Sequence, residues 1–219
     1  MDITCISDLH GFYPELEGGD LLIVAGDLTA RDRFTEYQNF FKWLLEQKYS
    51  RKILVAGNHD NHLKGLFYNG EETDLAYLCD SGTEFEGLNI WGSPWTKTFE
   101  GMNPHCKAFT LDTEEELEEK WRMIPWNVDI LITHSPPYGI LDEVAMDVFI
   151  EGHQCYHFEN VGSHSLGYYS RMHQPKLHVF GHIHEGYGKE VDEGTTIYVN
   201  ASYVNEYYQP VNKPIRIEL

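Results

Sequence analysis

Five short motifs, each closing an apolar run, gather carboxylates, an amide and imidazoles in order along the chain. They are Asp8-Leu9-His10, Gly26-Asp27, Gly57-Asn58-His59-Asp60, His134 and Gly181-His182-Ile183-His184. Oxygen and imidazole donors mixed in this way suit borderline divalent ions, Mn first, with Fe, Zn, Co or Ni as alternatives. The lack of cysteine among the motifs speaks against a structural zinc. Asp8 and His10 stand two apart at a strand end, so both can turn toward one ion as the chain leaves the sheet. Asp27 has two carboxylate oxygens, enough to bridge two ions, and Asn58 offers a neutral oxygen. His134, His182 and His184 add imidazoles from two further strand ends. Two divalent ions set against these two carboxylates and a bridging hydroxide leave about +1, a local trap for a phosphate group. Such a pair can activate a shared water for attack on phosphorus. Taken singly, the first three motifs read more plainly as a helix cap or a turn, while Gly181-His182-Ile183-His184, with alternate histidines on one face, is evenly balanced. Their joint order is what excludes accident.

The elements that must carry these groups show as short, continuous β-rich runs of the kind found in buried strands. They are Ile3–Ile6, Leu21–Ala25, Ile53–Ala56, Asn89–Gly92, Ile130–Thr133, Leu177–Phe180 and Thr196–Val199, with Ile215–Leu219 alternating as an edge strand would. The motifs follow these runs, where open α/β sheets collect ligand-binding groups. Tyr37, Phe40, Phe41, Leu44 and Leu45 repeat at helical spacing, with Thr35 and Gln38 as a capping box. A second helix starts after Thr113, with Glu116 as its box partner and Leu117, Trp121 and Ile124 on one stripe. Its Glu114-Glu115-Glu116 run sits where negative charge meets the positive end of the helix dipole. The link from His10 to Asp20 is too short for an ordinary crossover helix, so it is either truncated or joins the strands in an unusual way. Pro136 to Met172 shows no sustained periodicity and reads as a long loop, a lid or binding rim.

The 219 residues predict one domain spanning 1–219, with a full core. A formal charge of −19 argues against an extended nucleic-acid surface. It does not oppose a small phosphate ester, because bound cations reverse the field locally. No leader-like segment opens the chain and no long apolar run suggests a membrane span. Cys5, Cys79, Cys106 and Cys155 form no Cys-x-x-Cys, so a reduced, cytoplasmic protein is expected. Asn200-Ala201-Ser202 matches a glycosylation sequon, read as chance. Oligomeric state is left open.

The five motifs resemble those of the calcineurin-like metallophosphoesterase superfamily. Gly92-Ser93-Pro94-Trp95-Thr96, Asp129 to His134 and Pro175 to Gly188 are similar to the branch of metallophosphoesterase-domain-containing proteins, related to class III cyclic-nucleotide phosphodiesterases. The resemblance implies a four-layer α/β/β/α sandwich with a dinuclear metal site at the C-terminal edge of the sheets. It also implies one ion held by Asp8, His10, Asp27 and His184, and a second by Asp27, Asn58, His134 and His182. His59 would contact the phosphoryl group and assist the leaving oxygen. Asp60 would either steady His59 or cap the following turn. Some members of the branch lose the first histidine of the last motif; this chain keeps His182. Ala30, followed by Arg31, stands where protein phosphatases of the superfamily carry an aspartate, and Ser135 where the branch has glycine. The segment from Val144 to Phe158 is longer than expected.

Further residues carry two readings each. Phe12 and Tyr13 could stack on a base or plug the loop against the sheet. Trp95 could approach the site or be structural. Arg31 could contact phosphate or pair at a helix entry. His62, His105, His153, His157 and His164 read as surface histidines, and His173 and His178 as structural ones. The pattern favours a phosphodiesterase acting on small diesters such as cyclic nucleotides, by in-line attack of hydroxide on phosphorus. The alternatives are a phosphomonoesterase, a nuclease acting on nucleic-acid ends, or a non-catalytic scaffold, whose mark would be eroded ligands.

Overall fold

The computed structural model describes residues 1–65, 74–99, 101–150, 153–191 and 196–219, with the backbone alone at 147–150 and 153–154. The first half runs β1 (Asp2–Ile6), β2 (Gly19–Ala25), α1 (Phe34–Glu46), β3 (Tyr49–Val55), β4 (Leu75–Leu78), β5 (Ser81–Phe85) and β6 (Leu88–Ser93). Then come β7 (Thr96–Lys97), β8 (Thr110–Leu111), α2 (Glu114–Trp121), β9 (Ile130–Thr133), β10 (Glu143–Ile150), β11 (His153–Asn160) and α3 (His164–His173). The chain closes with β12 (Leu177–Phe180), β13 (Gly188–Val191), β14 (Ile197–Asn200) and β15 (Ile215–Glu218).

Two sheets form, in the orders β15-β1-β2-β3-β4 and β13-β14-β12-β9-β6-β5. Their inner strands are parallel, while β15, β13 and β5 are antiparallel edges. Parallel strands covered on both faces need apolar side chains on both, which is why these runs do not alternate. One face of each sheet meets the other in a shared core that includes Ile3, Ile23, Ile53 and Val55 from the first and Ile130, Ile132, Val179 and Val199 from the second. The other face of the first sheet packs Leu22, Val24 and Leu54 against Phe40 and Leu44 of α1. The other face of the second sheet brings Leu131 against Leu117 and Trp121 of α2 and Leu166 of α3. Helix, sheet, sheet and helix are therefore four layers, as the family resemblance implied.

The β1–β2 link is of the truncated kind. The strands pair in parallel, and residues 7–18 contain no helix. Tyr13 stacks on Trp43 of α1 with ring centroids 5.6 Å apart, and the Trp43 indole donates to the Pro14 carbonyl. Tyr13 thus plugs the layer that a crossover helix would fill, while Phe12 stays 41% exposed.

Three expectations need correction. Helix α1 begins at Phe34, with Arg33 and not Thr35 as its N-cap. The Glu36 carboxylate accepts from the backbone N–H groups of Ala30, Arg31 and Arg33, and a charged acceptor serving three donors outweighs one hydroxyl. Leu45, placed on the apolar stripe, is 63% exposed. The stretch from Pro136 to Met172 is not a structureless loop, since it holds the antiparallel hairpin β10–β11 and helix α3. Helix α3 buries only Leu166, Gly167 and Ser170, too small a face to register as an apolar stripe. Gly152 and the side chain of His153 lie outside the described residues.

Glu114 locks α3 onto α2. Its carboxylate accepts from Ser163 Oγ at 2.6 Å, Ser165 N at 2.8 Å and Ser165 Oγ at 2.5 Å, while Ser163 caps α3 by accepting from Leu166 N. Partial burial alone would raise the Glu114 pKa, but these donors hold it below the usual carboxylate value. The stability it contributes is therefore complete above the unfolded-state value of about 4.3 and is lost as pH falls through the folded one. Glu114→Ala is expected to cost about 1.5–3 kcal/mol at pH 7. Urea unfolding should show that deficit shrinking toward pH 3; a deficit independent of pH would mean the carboxylate charge is not what holds α3.

Candidate metal centre

The strand ends converge because the sheets are joined at their C-terminal edges. Ser7, just past β1, donates its N–H to Ala201 O at 2.8 Å, and Tyr203 N returns a bond to Ser7 O. His134, just past β9, points its ring across the seam, and its Nδ1 lies 3.0 Å from Ala25 O at the end of β2. A carbonyl can only accept, so Nδ1 carries a proton and Nε2 is the nitrogen that faces the site.

The chain assembles Asp8, His10 and His184 within mutual reach, and likewise His10, Asp27 and His59, and Asp8, Asp27 and His134. Asp27 sits at the middle, with its carboxylate 3.4 Å from His134 Nε2, 3.7 Å from His10 Nε2 and 3.8 Å from His59 Nε2. Asn58 Oδ1 lies 3.0 Å from His134 Nε2, and its amide nitrogen is spent on Cys106 O, which fixes which end faces the cluster. His184 Nε2 lies 3.4 Å from Asp8 Oδ1, with Nδ1 held by Asn205 O. The ring of His182 stands 5.0 Å from that of His134. Outer partners of this kind set tautomer and aim in metal-binding histidines.

Asp8 is wholly buried, and accepts from the His182 N–H and from Ser202 Oγ at 2.8 Å. Desolvation would raise the pKa of Asp8 and of Asp27, but neighbouring histidines hold both well below the carboxylate range. The pair thus remains anionic and needs positive charge beside it. His134 supplies some: despite the desolvation penalty, Asp27 lifts it to about 9. His10 and His182 go the other way, to about 4 and about 3, chiefly by desolvation, and so stay neutral as a ligand must.

His10 gives the sharpest sign that this cluster suits cations. Both of its ring nitrogens are buried and without a hydrogen-bond partner among the described residues. Orphaned buried polar atoms are costly and uncommon. Two anionic carboxylates next to an unpaired neutral imidazole form a donor set completed by a divalent ion.

The backbone is bent to make this aim possible. Asp8, His10, Asp27 and His182 all have positive φ, at 51°, 43°, 52° and 69°. Asp and His tolerate that region better than most residues, but each still stores strain. Two motif glycines are required by close approach: a Cβ on Gly57 would collide with Asp27 Oδ1, and one on Gly181 with Asp8 Oδ2.

Several residues at the site were not singled out by their sequence. Ser202 and Asn200 support Asp8, and Asn200 is wholly buried, donating to the carbonyls of Leu141 and Ile183. The sequon they form is thus a support at the end of β14, a strand end like the other five, and that placement was the available signal. Tyr208, at φ 58°, lays its ring 4.8 Å from His10 and 5.1 Å from His184. Nothing in its local sequence marked it. With Asp27, Asn58, His59 and His184 it lines a cavity of about 250 Å³.

Other candidates fall elsewhere. Asp60 neither touches the His59 ring nor caps the next turn with its side chain. It is fully buried and accepts from the N–H groups of Gly57, Leu28 and Thr29, tying two strand-end loops together. Arg31 is exposed, and its N–H goes to Glu36. Trp95 donates to Asp80 and packs on Phe109. His62 pairs with Asp32, His164 stacks on Tyr138, and His173 lies against Trp126. His105 and His157 are exposed, and His178 is wholly buried between Thr133 and Ser170.

A family model described as calcineurin-like phosphoesterase matches residues 1–186. Metallophosphoesterase domain-containing protein 1 of Homo sapiens, like that of Mus musculus, is 40% identical over 243 residues, covering 99% of this chain and 70% of the relative. UPF0046 protein T07D4.2 of Caenorhabditis elegans is 32% identical over 253 residues, covering 99% of this chain and 59% of its own. The chain belongs to the calcineurin-like phosphoesterase family. Among solved structures, phosphopantetheinyl hydrolase from Mycobacterium tuberculosis superposes with a TM-score of 0.54 at 16% identity, covering 98% of this chain and 95% of that one. That likeness shows the fold alone. Family and fold together define a metal-dependent phosphoester hydrolase. The four cysteines are free thiols, and among the described residues no helix is long and apolar enough to cross a membrane.

Saturating Mn is expected to raise the melting temperature, since a ligand at about 100 times its Kd adds roughly 2.7 kcal/mol. His10→Ala should cancel most of that gain while costing the chelated protein little. Thermal denaturation with and without chelator measures both, and equal metal-induced shifts in the two proteins would remove His10 from the ligand set.

Proposed function

We propose that this chain is a dinuclear-metal phosphodiesterase acting on small phosphodiesters such as cyclic nucleotides. The observation that carries the reading is the setting of His59. Its Nδ1 lies 3.1 Å from the Ala30 carbonyl, so Nδ1 carries a proton and Nε2 faces the Asp27 carboxylate. A carbonyl fixes the ring without adding the negative charge that an aspartate at Ala30 would bring. Protonated at Nε2, His59 can give that proton to a leaving alkoxide and fall back to the neutral tautomer that Ala30 already holds.

The residues that would hold two ions are Asp8, His10, Asp27 and His184 on one side, and Asp27, Asn58, His134 and His182 on the other. Mn is the first ion to test, with Fe, Zn, Co and Ni behind it. Divalent ions there supply Lewis-acid activation of water and charge neutralisation at the phosphoryl oxygens. The protein's own share is orientation. Asp27 also accepts the His59 backbone N–H at 2.9 Å, so the central carboxylate and the proton donor move as one piece. The cavity holds Tyr208 and Cys106 where further cationic donors for a monoester dianion would be needed. A diester monoanion asks for fewer donors and matches the near-balanced charge better.

With Mn bound, bis(p-nitrophenyl) phosphate is expected to be hydrolysed with a higher kcat/KM than p-nitrophenyl phosphate. Parallel kinetics at one pH decide it, and a clear preference for the monoester would reverse the assignment. His59→Ala is expected to keep its metal content and lose about 10²–10⁴-fold in kcat on a diester with an unactivated leaving group. Unchanged kcat, with elemental analysis showing full occupancy, would clear His59 of that role.

A further inference from the structure

A second cavity, of about 400 Å³, opens beside the first and shares Phe99, His182 and Ile183 with it. Its other walls include Val144, Met146 and Val161 from the hairpin segment, with Thr96 and Ser135 beneath. Val144 and Met146 stand two apart on β10, hence on one face of the hairpin, and Val144 is paired across it with Glu159. The size falls within the range of small-molecule sites, and the surface facing the cavity is mostly apolar, although Thr96, Thr98, Ser135 and Ser163 also line it. Phe99, Met146 and Val161 are 58%, 48% and 42% exposed, so three large apolar side chains are left open around one mouth. Exposed apolar surface concentrated at a cavity marks a binding surface.

The hairpin that forms this wall has a fixed base. The Asp142 carboxylate is wholly buried and accepts from Gly139 N, Gly162 N and Asn160 Nδ2, and Val161 N donates to Asp142 O. Leu141 O is held in turn by Asn200, the residue that also accepts from Ser202 beside Asp8. The wall and the charged cluster are therefore built on one hydrogen-bonded framework.

We propose that this cavity is the subsite for the organic arm of the phosphodiester that stays on phosphorus after cleavage, and that it selects an uncharged aromatic or apolar group. The proposal rests on the phosphodiester reading above and names its substrate class. Continuity with the phosphoryl cavity makes the occupant part of the substrate. The cavity touches His182 but not His59, so an arm lying in it is on the side away from the proton donor and is not the one expelled. Its charged lining residues, Lys97 and Glu159, are exposed and opposite in sign, which favours a neutral group between them. The reaction balances as a hydrolysis. Water adds its oxygen to phosphorus and releases a proton, the bond to the expelled oxygen breaks, that oxygen takes the His59 proton, the proton released from water restores His59, and the retained arm leaves as a monoester.

The test uses the Mn-loaded full chain and two diesters with one leaving group, phenyl p-nitrophenyl phosphate and methyl p-nitrophenyl phosphate, each rate normalised to its uncatalysed hydrolysis. The phenyl ester is expected to be preferred about tenfold or more in kcat/KM, the discrimination an apolar pocket gives for added carbon. Val144→Asp and Met146→Asp should collapse that ratio toward one, and the volume-conserving Met146→Leu should keep it. Calorimetry adds a readout without turnover: phenylphosphonate should bind more tightly than methylphosphonate, and V144D should erase the difference. Equal use of the two esters, or a ratio that V144D leaves unchanged, overturns the subsite while the diester reading stands. No turnover of either ester, alongside turnover of p-nitrophenyl phosphate, overturns the diester reading and this proposal with it.

Discussion

Two carboxylates buried where two sheet edges meet, Asp8 and Asp27, impose the terms on which this end of the molecule can fold. An ionised carboxylate removed from water is unfavourable unless charge and donors surround it. Around Asp8 the chain provides the His182 N–H, the Ser202 hydroxyl and the His184 imidazole. Around Asp27 it provides the His59 N–H and the rings of His134, His10 and His59. Some of these partners come from the sheet that does not carry the carboxylate. The site therefore ties the two sheets together at this edge, in addition to the shared apolar core.

That arrangement brings strain, and the strain falls on the candidate metal ligands. Four of the seven proposed ligands sit at positive φ, and Tyr208, a bulky residue poorly suited to it, does too. Such conformations persist only where the surroundings over-determine them. Here the over-determination is visible: Asn205 accepts from Tyr207 and Gln209 on either side of Tyr208 while its carbonyl holds His184. A loop that looks like a surface turn thus fixes both a ligand and the ring covering it.

The functional surface divides into two regions of opposite character. One is a cluster of anionic and imidazole groups that suits cations and a phosphoryl group. The other is a hollow of mostly apolar surface walled by the β10–β11 hairpin segment. The family fold accounts for the first, since it places ligands at the C-terminal edge of the sheets. The second belongs to the hairpin segment between β9 and β12, and variable segments at that edge can change which ester reaches the candidate ligands without disturbing them. A chain of net −19 with this division is better suited to a small anion than to a polymer of them.

The seven candidate ligand positions and His59 could be named from the sequence, because each belongs to a short-range pattern at the end of an apolar run. A continuous β-rich run dictates a buried strand, and a Gly-Asp or Gly-His pair directly after it dictates a turn aimed at that strand end. The four layers were expected from the family resemblance and not from the runs themselves. Other features depended on contacts between segments far apart in the chain. Asp60 looked like a turn cap, yet it joins two strand-end loops, because only folding brings Leu28 and Thr29 to it. Asn200 and Ser202 looked like a chance sequon, yet Ser202 donates to Asp8 from 194 residues away and Asn200 accepts from Ser202. The hairpin and α3 were hidden because one is largely exposed and the other buries small residues, so neither leaves an apolar period. Local spacing determines which groups can bind a metal. How they are charged, aimed and walled is decided by partners that only tertiary packing supplies, since burial and hydrogen bonding depend on what surrounds a residue in space.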